Sequence, residues 1–76
     1  MKEIILADLG EGVEQVTVSF WRYKVWDAVR EGEDIVEVYT DKANFTVKSP
    51  ATGKLAKITV GEGKTAKVGE AIGAIE

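Results

Sequence analysis

Hydrophobic and polar positions alternate most cleanly between Val36 and Val47. If Asp41 and Lys42 form a two-residue turn, antiparallel pairing sets Val38 opposite Phe45 and Val36 opposite Val47, while Glu37, Thr46, Tyr39 and Asn44 share the other face. One apolar face and one polar face predict a β-hairpin with a single buried side. Lys42 then stands at the tip, where a rigid hairpin can hold an amine out for modification. A helix over Glu33 to Tyr39 has the spacing of Ile35, Val38 and Tyr39 in its favour, but the β-branched content and the following turn favour a strand.

The same reading extends in both directions. Lys2 to Ala7 is predicted as a strand, Asp8 to Gly12 as a glycine-bearing loop, and Val16 to Tyr23 as a strand with Val16, Val18 and Phe20 on one face and Trp21 and Tyr23 on the other. A short run at Ala28 to Arg30 and a turn at Glu31 to Asp34 lead into the hairpin. Pro50 ends its second strand, because proline lacks an amide hydrogen and biases Ser49 towards extended geometry. After a turn at Ala51-Thr52-Gly53, strands are expected at Leu55 to Val60, Ala66 to Val68 and Ala71 to Ile75.

The chain also repeats itself weakly at an offset of 37 residues: Gly32-Glu33 recurs as Gly69-Glu70, Ile35 as Ile72, Val38 as Ile75, Val18 as Leu55, Trp21 as Ile58 and Tyr23 as Val60. Chance matching of apolar positions is the alternative in a short β chain. Taken as a true repeat, it predicts an all-β fold: a flattened barrel or sandwich of two four-stranded antiparallel sheets related by a quasi-two-fold axis.

Composition narrows the function. With 76 residues the chain makes one domain, spanning 1–76, and a domain of this size buries only about 60% of its extended surface. Sixteen valines and isoleucines against three leucines is a β composition. Cysteine and histidine are absent, which removes thiol nucleophiles, imidazole bases, disulfides and the usual zinc ligands together. Carboxylate pairs or a lysine Schiff base would need a desolvated cleft that so small a domain is poorly placed to build. A net charge of −3, with acidic residues in both halves, argues against nucleic acid as a partner. The apolar run Ile4 to Ala7 is too short for a membrane span or a signal-peptide core, so a cytoplasmic or organelle-matrix setting is expected.

Eight lysines are present, and most lysines are solvated surface residues, so composition gives Lys42 no priority. Its surroundings do. Thr40-Asp41-Lys42-Ala43 resembles the "TDKA" signature of lipoyl domains, the swinging-arm carriers of 2-oxo acid dehydrogenase complexes. The resemblance covers the whole chain: Leu9 to Glu14 resembles the family's "GEG" loop, Trp21 to Lys24 its "W-x-V-K" strand, Ser49 to Gly53 its "SPxxG" turn, and Val68-Gly69 its last "VG" step. Each is weak singly; in this order and spacing they are specific. Biotinyl domains share the fold but carry Met-Lys-Met at the tip, so Asp41-Lys42-Ala43 favours lipoate over biotin.

The resemblance implies lipoic acid in amide linkage on Lys42, with Asp41 and Ala43 flanking it in the turn and Gly53 concerned in recognition by the lipoylating enzyme. It implies no catalysis by the domain itself, which would usually be the N-terminal part of a dihydrolipoyl acyltransferase. The arm would take acyl groups from a thiamine-dependent 2-oxo acid decarboxylase to the acyltransferase core and be reoxidised by dihydrolipoyl dehydrogenase. A lipoate ligase or lipoyltransferase would install it, and in a eukaryote the setting would be the mitochondrial matrix. The Asp8 to Gln15 loop would lie near the tip, with Glu11 and Glu14 as partner contacts.

Four positions depart from the family: Tyr39 and Trp26, and on the exposed strand Thr46 for a frequent glutamate and Lys48 for a frequent proline. Tyr39 replaces a glutamate implied in ligase recognition; Glu37, on the same strand face, is the candidate substitute. Trp26 stands where a glycine is common. If that glycine serves a positive torsion, a tryptophan would be strained, so the turn is expected to be built differently; a ring lying over the barrel end is favoured over the alternative, an exposed contact for a partner. An unmodified interaction module and a biotin carrier are the alternative functions.

Overall fold

The computed structural model describes residues 1–10 and 12–76. Eight strands follow in chain order: β1 (Lys2–Ile5), β2 (Gln15–Trp21), β3 (Ala28–Val29), β4 (Asp34–Tyr39), β5 (Asn44–Lys48), β6 (Gly53–Ile58), β7 (Thr65–Lys67) and β8 (Ala71–Ile75). They form two four-stranded sheets, ordered β1-β8-β6-β3 and β5-β4-β2-β7, with every pairing antiparallel. Each expected strand is present, with ends displaced by no more than two residues.

The quasi-two-fold relation is real and reaches the hydrogen bonds. Val18 faces Val38 in the β2–β4 pair, and Leu55 faces Ile75 in the β6–β8 pair, 37 residues on. The Arg22 N–H donates to the Ile35 carbonyl at 2.8 Å, as the Thr59 N–H does to Ile72 at 2.9 Å. The Glu33 carboxylate accepts from the Arg30 N–H at 2.7 Å, as Glu70 does from Lys67 at 2.8 Å. Both halves therefore close their sheets with the same glycine–glutamate turn, the feature most visible in the sequence repeat.

Between the sheets lies a core of aliphatic side chains supplied by both, among them Ile4, Val18, Ile35, Val38, Leu55 and Ile72. This is the consequence of alternation: β-branched residues at every second position pack on the pleated inner faces. Two irregularities break the alternation. A register shift between Asp34 and Val36 puts both Ile35 and Val36 inside. A second, between Val18 and Phe20, reverses the faces of the rest of β2.

The second shift corrects the sequence reading of β2. Phe20, expected to share the buried face of Val16 and Val18, is exposed, whereas Trp21 turns in to pack against the core. The Trp21 ring donates its Nε1–H to the Val60 carbonyl at 2.9 Å. Gly73 makes room for it, since a Cβ there would sit 3.0 Å from the Trp21 ring and 2.8 Å from the Lys57 carbonyl. Trp26 is a second correction: its φ is +79°, so the turn keeps the glycine-type torsion, and the ring is 60% exposed rather than laid over the barrel end.

Candidate functional site

The β4–β5 hairpin forms in the register that the alternation predicts, with Val36 opposite Val47, Glu37 opposite Thr46, Val38 opposite Phe45 and Tyr39 opposite Asn44. Burial of Val36, Val38 and Val47 fixes that register, because a slip by one residue would turn all of them to solvent. The hairpin is thus anchored by its inner face, and its tip is placed by what the core holds.

At the tip the Thr40 N–H donates to the Ala43 carbonyl at 2.8 Å, leaving Asp41 and Lys42 as the two linking residues. Neither has a positive φ, so the primed turns common in hairpins are not used. The Thr40 hydroxyl compensates. Its oxygen accepts the backbone N–H of Lys42 and of Ala43, each at 3.2 Å, tying down the donors that the turn would otherwise leave open. Among the hydrogen bonds of the described residues, those that close the tip run through Thr40, not Asp41. Asp41, Lys42 and Ala43 are all exposed.

The loop before β2 comes up beside this tip. Gly12, Val13, Glu14 and Gln15 line one side of a groove of about 560 Å³, and Thr40 to Ala43 and Phe45 line the other. Glu14 is therefore brought to the lysine, as expected; Glu11 lies outside the described residues. Val13 and Phe45 are half-buried, each packed against the core on one side and facing the groove on the other. Phe45 was legible only as a partner for Val38; its second role, and those of Thr40 and Val13, were missed. A threonine hydroxyl two residues before the lysine amide was the available signal for the tip.

Gly53 is not part of this assembly. It opens β6 in the other sheet, paired with Val29, and a Cβ there would lie 2.2 Å from the Glu76 carbonyl oxygen. Close backbone approach is by itself sufficient to require glycine at that position. Glu37 is also committed elsewhere: its carboxylate accepts from the Arg22 guanidinium at 2.5 Å, across from β4 to β2. Tyr39 stays exposed next to the tip.

Comparison with known proteins agrees with this geometry. A family model described as "Biotin-requiring enzyme" matches residues 2–75. The chain is 44% identical over 66 residues to the dihydrolipoyllysine-residue acetyltransferase component of the pyruvate dehydrogenase complex of Acholeplasma laidlawii, covering 87% of this chain and 12% of that protein. It is 43% identical over 74 residues to the succinyltransferase component of the 2-oxoglutarate dehydrogenase complex of Bartonella vinsonii, covering 97% of this chain and 18% of that one. The chain thus spans less than a fifth of the length of these relatives. The solution structure of the lipoyl domain of the 2-oxoglutarate dehydrogenase complex of Azotobacter vinelandii superposes with a TM-score of 0.77 at 33% identity, covering 100% of this chain and 96% of that one. The chain belongs to the biotin–lipoyl attachment family, as one of its lipoyl domains.

Proposed function

We propose that this domain is an acyl carrier whose Lys42 bears lipoate and serves a 2-oxo acid dehydrogenase complex. The observation that carries the reading is the placement of Lys42: an exposed amine at the tip of a hairpin whose register the core fixes and whose backbone the Thr40 hydroxyl holds. The residues fit the group. The tip leaves the amine open for amide formation, small Ala43 stands beside it, and an apolar-walled groove adjoins it.

When attached, lipoate supplies a disulfide–dithiol couple able to take up and release acyl groups. The chain's own contribution is presentation. The core keeps the hairpin rigid, the tip presents the arm to partners, and tethering raises the arm's effective concentration at successive partner sites. Those partners are a lipoate ligase or lipoyltransferase, a thiamine-dependent decarboxylase, an acyltransferase core and dihydrolipoyl dehydrogenase. The support for them is the kinship with acyltransferase components of such complexes. Bond making falls to the partners, a reading supported by a chain without histidine or cysteine.

With Glu37 held by Arg22, the carboxylates that, among the described residues, are placed to mark the tip for a partner are Asp41 on the hairpin and Glu14 across the groove. Relatives from pyruvate and 2-oxoglutarate complexes stand at similar identity, which supports a 2-oxo acid complex and favours neither of the two.

Incubation with lipoate, ATP and a lipoate ligase, followed by intact mass and peptide mapping, tests the reading. One lipoyl addition at Lys42, abolished in Lys42→Ala, is the expected result. A folded domain that several ligases leave unmodified would favour an interaction module, and biotin addition would favour a biotin carrier.

A further inference from the structure

The groove beside Lys42 has features that presentation of an amine does not require. Its walls combine Val13 from the loop before β2 with Phe45 and Ala43 from the hairpin, and Lys42 itself forms part of the rim. Val13 and Phe45 belong to different elements, yet both turn an apolar side towards the same space while resting on the core behind. Phe45 is only half-buried although Val38, its partner across the ladder, is fully buried. The strand therefore carries its apolar face past the end of the core and into the groove.

We infer that this groove is a resting cradle for the octanoyl chain of the group amide-linked to Lys42, held against Val13 and Phe45 when no partner has engaged it. The inference rests on the carrier reading above. Its occupant is selected by covalent connection: a chain attached to a residue of the rim meets the groove at a far higher local concentration than any free ligand. The chain is apolar along its methylenes, as are Val13, Ala43 and Phe45 in the walls, so folding back onto them removes apolar surface from water on both sides. The flexible stem of lysine lets the chain turn over the rim. The cradle is open to solvent, so the arm leaves it without any movement of the sheets.

The test is nuclear magnetic resonance on the isotopically labelled chain before and after enzymatic loading, with loading confirmed by mass. Cross-relaxation between the octanoyl methylenes and both the Val13 methyls and the Phe45 ring is expected, with amide shift changes at Gly12 to Gln15. Octanoate loaded in place of lipoate should give the same contacts, since the methylenes and not the sulfurs are held. Val13→Ser, with its fold checked by unchanged shifts at Leu55 and Ile72 in the far sheet, should at least halve the loading-induced shifts at Phe45. Shift changes confined to Asp41 to Ala43, with no contact to Val13 or Phe45, would overturn the cradle while leaving the carrier reading intact. Failure of any group to attach at Lys42 would overturn both, and the mass would show it.

Discussion

Trp26 and Gly63 hold the same left-handed backbone, with φ of 79° and 82°, and make equivalent hydrogen bonds: the Trp26 N–H donates to the Leu55 carbonyl at 2.7 Å and the Gly63 N–H to the Val18 carbonyl at 2.9 Å. Donors and acceptors alike are related by the 37-residue repeat. The fold requires this torsion twice, and only one of the two positions carries the residue that adopts it without strain.

Replacing Trp26 by glycine should therefore stabilise the domain. A left-handed torsion costs a residue with a Cβ about 1–2 kcal/mol, partly offset by the greater unfolded-state freedom of glycine. The expected net gain is about 0.5–1 kcal/mol in urea unfolding. Gly63→Ala should lose about 1 kcal/mol by the same reasoning. A Trp26→Gly variant less stable than the parent would show that the buried part of the ring outweighs the torsion.

Gly53 separates packing from recognition. A methyl 2.2 Å from the Glu76 carbonyl oxygen forces the C-terminal strand or β6 to move, so Gly53→Ala should cost about 1–3 kcal/mol. Because Gly53 opens a strand of the other sheet, lipoylation of the folded fraction should proceed at the parental rate. A stable Gly53→Ala domain with slowed lipoylation would return this glycine to the recognition site.

The tip depends on one hydroxyl. Thr40→Val removes the acceptor for the Lys42 and Ala43 amides and should cost about 0.5–1.5 kcal/mol. Hydrogen exchange at those two amides should accelerate with it. Thr40→Ser retains the oxygen and should restore most of the protection; equal exchange in both variants would show that the backbone contact from Thr40 to Ala43 suffices.

Asp34 gives the hairpin a pH dependence at its other end. The hydrogen bond from the Lys48 ammonium at 2.8 Å, reinforced by its charge, holds the Asp34 carboxyl below its ordinary value, while partial desolvation opposes the shift. A lowered folded-state pKa means that the contribution is present above the unfolded value and lost as pH falls through the folded one. The urea midpoint of the parent should exceed that of Asp34→Asn at neutral pH, and the gap should close below about pH 4. A gap unchanged down to the acid limit would mean that the pair contributes nothing.

Much of this was legible in the sequence, for physical reasons that also explain the failures. The hairpin register followed from alternation because burial of Val36, Val38 and Val47 punishes every slip. The inversion at Phe20 and Trp21 was hidden, since a strand bulge leaves no mark in residue types that suit either face. The torsion at Trp26 was recoverable: carried one pair further, the repeat sets Trp26 against Gly63. The close approach of Glu76 to Gly53 joins strands from distant parts of the chain, which no local pattern encodes.

The central claim is that Lys42, alone among eight lysines, is the attachment point of a swinging arm. Peptide mapping by mass spectrometry of the protein purified from its native cells tests this most directly. Lipoyl at Lys42, with the other lysines unmodified by it, is the predicted result. A native protein whose Lys42 is bare, or whose lipoyl group lies on another lysine, would contradict the account.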